Sequence, residues 1–188
     1  MGVEFGFSGL SNIGLSPVKG GSIGVKKAMD GDNYFIGRFG FGLSRDTDEA
    51  MATGWTDEKD GMMQFAAGLG LQHNLPACNH LVPYLGGMVE FSYSSSYNEP
   101  SVQEPVAANT LTKTTTSGMG LGLKAMVGGE YFFWQCMSLS GEYTFGFSYT
   151  SSKTEWEYEG ADNVESKMSG FDFGPFSTAN VRLTMYWD

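Results

Sequence analysis

Basic residues are scarce in this chain. Lys and Arg number 11 against 21 Asp and Glu, giving a formal net charge of -10 and an isoelectric point near 4.5. A phosphate backbone is held by clustered Lys and Arg, so this balance argues against nucleic-acid binding. Charge of either sign is thin, at 17%, against roughly 25% in an ordinary soluble domain. Yet no apolar run approaches the roughly 20 residues of a transmembrane helix, and mean hydropathy is -0.20. A helical membrane protein is excluded. A transmembrane barrel is not, because its strands alternate and escape hydropathy averages. Cysteine is limited to Cys78 and Cys136, with no metal-ligand cluster around either, and no cofactor or metal site is expected. A signal peptide is also missing: Met1-Gly2 leads straight into a strand-like pattern. The chain is then either cytosolic or a mature form carrying an added start Met.

What is abundant is glycine, at 27 residues, and aromatic side chains, at 14%. Their arrangement is clearest in SLSGEYTFGFSYTS, residues 138–151. Leu139, Gly141, Tyr143, Phe145, Phe147 and Tyr149 alternate with Ser140, Glu142, Thr144, Gly146, Ser148 and Thr150. A strand places these two sets on opposite sides of a sheet. The same alternation predicts strands near Val3–Leu10, Gly21–Met29, Asn33–Ser44, Met62–His73, Leu81–Ser94, Gly118–Phe133, Met137–Ser151 and Thr178–Trp187. Helical periodicity is not evident, and 188 residues suffice for one domain, 1–188, with a core or a closed barrel.

Short connections alternate with long polar ones. MDGDN (Met29–Asn33), NLPACNH and FWQCM are tight, while Ser11–Gly20, Arg45–Gly61, Ser95–Ser117 and Ser152–Gly170 read as long loops. This pattern predicts an all-β fold, an eight-stranded antiparallel up-and-down transmembrane β-barrel.

One face of the predicted strands is apolar throughout, apart from Lys27 near a turn. The other is small or ionic, with Glu4, Glu90, Glu130 and Glu142 balanced by Lys26, Arg38, Lys124 and Arg182. In a soluble lipocalin-like carrier the apolar face would enclose an apolar ligand, and the polar face would meet water with many charges and few glycines. In a membrane barrel the apolar face meets lipid, and a narrow lumen holds Gly, Ser and paired charges. The glycine-rich, charge-balanced polar face favours the second arrangement, with those eight charged residues as a lumen network. Structural pairing is the commoner role for such a set, and a narrow ion path is the alternative. Tyr34, Tyr84, Tyr93, Tyr131, Trp134, Tyr143, Tyr149, Tyr186 and Trp187 fall near strand ends, where amphipathic rings meet the two membrane interfaces.

LVPYLGGMVEFSYSSS (Leu81–Ser96), GEYFFWQCMSLSGEYTFGFSYTSS (Gly129–Ser152) and ANVRLTMYW (Ala179–Trp187) resemble the outer-membrane β-barrel domain family. These are the eight-stranded OmpA-like and OmpX-like, porin-like proteins of Gram-negative bacteria. The resemblance covers essentially the whole chain. It implies a mature outer-membrane protein of the cell envelope, with short periplasmic turns and long extracellular loops. The partners it implies are outer-membrane lipid and lipopolysaccharide, and envelope proteins met through the loops. Family members usually end on an aromatic residue, whereas Trp187 here is followed by Asp188.

Cys78 and Cys136 fall in turns at the predicted periplasmic end. In an oxidising compartment they could form a disulfide joining the two turns, the alternative being two unpaired thiols. His73 and His80 flank one turn at that same end. Catalysis on lipid would need a His beside a Ser and an acid near the outer rim, so no enzyme and no catalytic residue is expected. The acid-rich RDTDEAMATGWTDEKDG and KTEWEYEGADNVES match no EF-hand spacing. They read as solvated surface, with weak divalent-cation binding to lipid phosphates as the sharper alternative.

Overall fold

A computed structural model describes residues 1–7, 21–49, 55–102, 110–175 and 180–187. Nine strands follow in chain order: β1 (Gly2–Phe7), β2 (Gly21–Ala28), β3 (Asn33–Asp48), β4 (Glu58–Asn74), β5 (Leu81–Glu99), β6 (Leu111–Trp134), β7 (Met137–Tyr158), β8 (Val164–Pro175) and β9 (Asn180–Tyr186). Every pairing between them is antiparallel. No helix among the described residues is long and apolar enough to cross a membrane.

Each strand from β1 to β7 pairs with its successor, and β9 joins β7 to β1. With β8 set aside, the other eight strands of the sheet therefore close into a ring. The two ends of the chain complete the seam, since Met1 N and Trp187 N each donate to the other's carbonyl at 2.8 Å. β8 continues along β7 above β9, with Pro175 opposite Phe145 and Asn180 opposite Glu142. Two strands thus share the last place, where the sequence pattern suggests one.

The long-loop expectation is corrected at three places. β3 and β4 run through Asp48 and from Glu58, while β5 reaches Glu99 and β6 starts at Leu111. The stretch Ser152–Gly170 is mostly the facing halves of β7 and β8. These outer halves are Ser-, Thr-, Lys- and Glu-rich on both faces, so they carry no apolar–polar contrast. Pairing onto an existing neighbour satisfies their backbone groups without apolar side chains. Ser11–Gly20 lies outside the described residues.

Which side faces inward is unambiguous. Along β7, Ser138, Ser140, Glu142, Thr144 and Gly146 are buried, while Leu139, Tyr143, Phe145 and Phe147 are exposed. Leu43, Leu69, Val89, Leu121 and Leu123 are likewise more than half exposed on the outside of the ring. The buried apolar cluster is small, being Ile36, Met88 and Met126. A lipocalin-like carrier needs the opposite arrangement, with the apolar face inside, so the charged interior gives that alternative no support.

Candidate functional site: the charged interior of the ring

The interior charges are placed by strand parity. Even-numbered positions of β1 to β7 and of β9 point inward, so Glu4, Lys26, Arg38, Glu90, Lys124, Glu130, Glu142 and Arg182 converge from seven strands. Glycines beside them on neighbouring strands provide the room. Gly24 lies opposite both Glu4 and Arg38, and Gly128 lies opposite both Tyr84 and Glu142. A Cβ on Gly24 would sit 3.1 Å from Glu4 Oε2 and 3.3 Å from Arg38 Cγ. On Gly128 it would sit 2.6 Å from the Tyr84 ring and 2.5 Å from the Gly141 carbonyl oxygen. Close approach of long side chains to bare backbone is what makes glycine necessary at these positions.

The eight charges resolve into three groups. Nearest the turns, Lys26 Nζ donates to Glu130 Oε2 at 2.6 Å, both side chains being at most 2% exposed. Ser138 and Tyr186 hydroxyls also donate to Glu130. The ammonium of Lys26 lies 4.7 Å from the centre of the Tyr34 ring, adding a cation–π contact in a desolvated setting.

In the middle, Glu142 accepts from both Arg38 amino groups at 2.8 and 2.9 Å, from Arg182 at 3.2 Å and from Tyr84 at 3.2 Å. Arg38 Nε donates in turn to Glu4 at 3.2 Å. Two acids and two bases make this group neutral, and the two-pronged Arg38–Glu142 contact is the geometry in which buried guanidinium pairs are strongest. The third pair, Lys124 with Glu90, is more open, at 19% and 28% side-chain exposure. Burying unpaired charge is prohibitive, so each charge depends on its partner.

Sequence reasoning missed the tyrosines. Tyr84 is 1% exposed and bonded to Glu142, Tyr186 is bonded to Glu130, and Tyr34 underlies Lys26. Placing these three in an interfacial belt is therefore corrected: they line the interior. Parity was the available signal, since Tyr84 shares it with Met88 and Glu90, Tyr34 with Arg38, and Tyr186 with Arg182. Tyr93, Tyr131, Tyr143, Tyr149 and Trp187 do belong to the outer face.

At the turn end, Cys78 and Cys136 are both exposed free thiols, so no disulfide joins them. His73 is exposed, with Nδ1 3.0 Å from Asn33 Oδ1, and His80 stands edge-on to Tyr131. At the far rim, Asn98 donates to Asp60 at 2.7 Å, and Lys153 pairs with Glu155 and, at 3.1 Å, with Glu165. No group of three potential metal ligands occurs among the described residues.

No protein-family profile and no curated protein sequence matches the chain. A solved structure does: a major outer membrane protein from Thermus thermophilus. It superposes with a TM-score of 0.60 at 14% identity, covering 98% of this chain and 97% of that one. At that identity the likeness is one of fold, and it extends over the whole length of both chains: this chain shares the antiparallel β architecture of a bacterial outer-membrane protein.

Proposed function

We propose that this chain is an integral outer-membrane protein, a single eight-stranded transmembrane β-barrel with a structural or surface-interaction role and no catalytic activity. The observation that carries the reading is the inversion of the sheet, with exposed Leu and Phe outside and neutralised charge inside. In water such an exterior would aggregate. In a bilayer it is the favourable surface, and the ring of β1 to β7 and β9 closes its backbone bonds on itself, with β8 paired to β7 alone among the described residues. The dimensions agree. The outward apolar run extends from Phe35 to Leu43 on β3 and from Leu139 to Tyr149 on β7, matching the roughly 9–11 residues of a tilted membrane strand. The whole-length fold likeness to an outer-membrane protein supports the same placement.

The paired interior supports a filled lumen rather than an open channel, because each of its charges already has a protein partner. Among the described residues His73 contacts Asn33 and His80 contacts Tyr131. Comparing unboiled and boiled protein on an SDS gel tests the barrel reading. A barrel whose backbone bonds are closed on themselves migrates differently until heated. Identical migration, with a monomer stable in plain buffer, would overturn it.

A further inference from the structure

The far halves of β5 to β8 sort their side chains by face. Lys113, Lys153, Lys167, Glu155 and Glu165 stand on the outer face, with Lys153 paired to both glutamates. The inner face of the same strands differs. Ser96, Thr116, Thr154 and Ser166 lie opposite one another in one cross-strand row. The row beyond it holds Asn98, Thr114, Trp156 and Val164, and the row below it Ser94, Gly118, Ser152 and Met168. No inner position in these three rows is charged. Thr116 and Thr154 hydroxyls bond each other at 3.1 Å. Apolar side chains share the face without cover, since Val164 and Met168 are 50% and 73% exposed. On β7 the rows run from Ser152 to Trp156, past the end of the apolar band at Tyr149. At about 3.3 Å per residue and a tilt near 45°, they stand about 7 to 16 Å above it.

We infer that this inner wall binds a neutral glycan, with Trp156 under a sugar ring and the Ser and Thr rows as partners for its hydroxyls. The inference rests on the membrane placement proposed above, which turns the far mouth toward the medium, and it gives the surface-interaction role a ligand class. A sugar ring carries hydroxyls around its edge and C–H groups on its faces. The wall offers a match for both in one patch: hydroxyls that donate and accept alike, and an indole with apolar neighbours. Adjacent strands space the hydroxyls at about 4.8 Å, so a single ring reaches two of them. Charge narrows the choice. An ionic ligand finds no counter-charge on the wall. Asp46, Asp48 and Asp60 face the same mouth from β3 and β4, where they repel an anion and draw a cation to their own side, away from Trp156.

The test uses the full chain in nonionic detergent with Trp55→Phe, Trp134→Phe and Trp187→Phe, so that fluorescence reports Trp156 alone. Maltohexaose, cellohexaose and mannohexaose are titrated as neutral probes, and dextran sulfate and spermidine as charged ones. Expected is a saturable change in Trp156 emission with at least one neutral hexasaccharide and with neither charged probe. Thr116→Val with Thr154→Val should weaken that binding at least about tenfold. Thr115→Val with Ser151→Ala, on the outer face of the same strands, should leave it unchanged. No saturable response to any of the three neutral probes, a response to a charged probe alone, or equal loss in both double variants would overturn the glycan wall. Gel mobility before and after heating is recorded for every protein. If the inner variant loses its heat shift, Ser96→Ala with Ser166→Ala takes its place. A normal heat shift without glycan binding sinks the wall alone, while absence of the shift in the parent chain sinks the barrel reading as well.

Discussion

Glu142 accepts from Arg38, Arg182 and Tyr84 at once. Glu142→Ala leaves two buried guanidinium groups facing each other without their shared anion. Loss of one partner of a buried pair costs about 3–5 kcal/mol, so the denaturant midpoint of the folded protein in detergent should fall sharply. Removing Arg38 and Glu142 together, as Met and Leu, should cost less than the sum of the two single changes, because their mutual pairing is lost only once, while Glu4 and Arg182 still lose a partner. Tyr84→Phe tests one contact of the same group: a hydrogen bond to a charged acceptor contributes about 1.5–3 kcal/mol, and the loss should be seen as a smaller shift of the same midpoint. Alternation alone was enough to read the eight interior charges from the sequence. It could not say which acid meets which base, because some pairings join neighbouring strands, as Glu90 with Lys124 and Glu142 with Arg182 do, and others cross the ring. Lys26 and Glu130 come from β2 and β6, on different sides of the ring.

Among the elements, the interior glycines and the outer half of the β7–β8 hairpin make separate demands. Gly128→Val would drive a side chain into the Tyr84 ring and the Gly141 carbonyl, whereas Gly170→Ala meets nothing within 4 Å. The first should abolish the heat-modifiable band and the second leave it unchanged. On the outside, Phe147 faces Phe173 at 4.5 Å between ring centres and Tyr149 faces Phe171 at 4.8 Å. Replacing Phe171 and Phe173 by Ala should cost about 0.5–1.5 kcal/mol per pair and speed amide exchange along β8 before the rest of the sheet. Further out, the bond from Lys153 holds the Glu165 carboxyl below its ordinary range. Its lowered value means that the pair persists above the normal glutamate range and is lost only as pH falls through the depressed value, a shift that an NMR titration of Glu165 reads directly. The period-two signal marked the apolar halves of these strands to within a few residues. It vanished where Thr112–Ser117 and Ser151–Thr154 carry polar side chains on both faces, which is why extended strands read as loops. The doubling of the eighth strand was hidden for another reason: most of β8, and the Ser152–Trp156 part of β7 that pairs with it, fall in the stretch that reads as a polar loop.

For the whole molecule, the outer-membrane placement proposed above puts the short turns at the periplasmic end. Cys78 and Cys136 are free and exposed beside the short turns. A membrane-impermeant maleimide should therefore leave both unmodified in intact cells and label both once the outer membrane is permeabilised. Labelling in intact cells would reverse the orientation. Deeper than orientation is the claim that the Tyr and Phe of residues 143–149 meet hydrocarbon while Glu142 and Thr144 face a packed interior. The direct measurement is a nitroxide scan over positions 143–150 of β7, one site at a time in a chain carrying Cys78→Ser and Cys136→Ser, reconstituted in bilayers. The account predicts collision with oxygen at 143, 145, 147 and 149, little collision with a water-soluble nickel chelate there, and a strict period of two. High nickel accessibility at those odd positions, or no alternation, would contradict it.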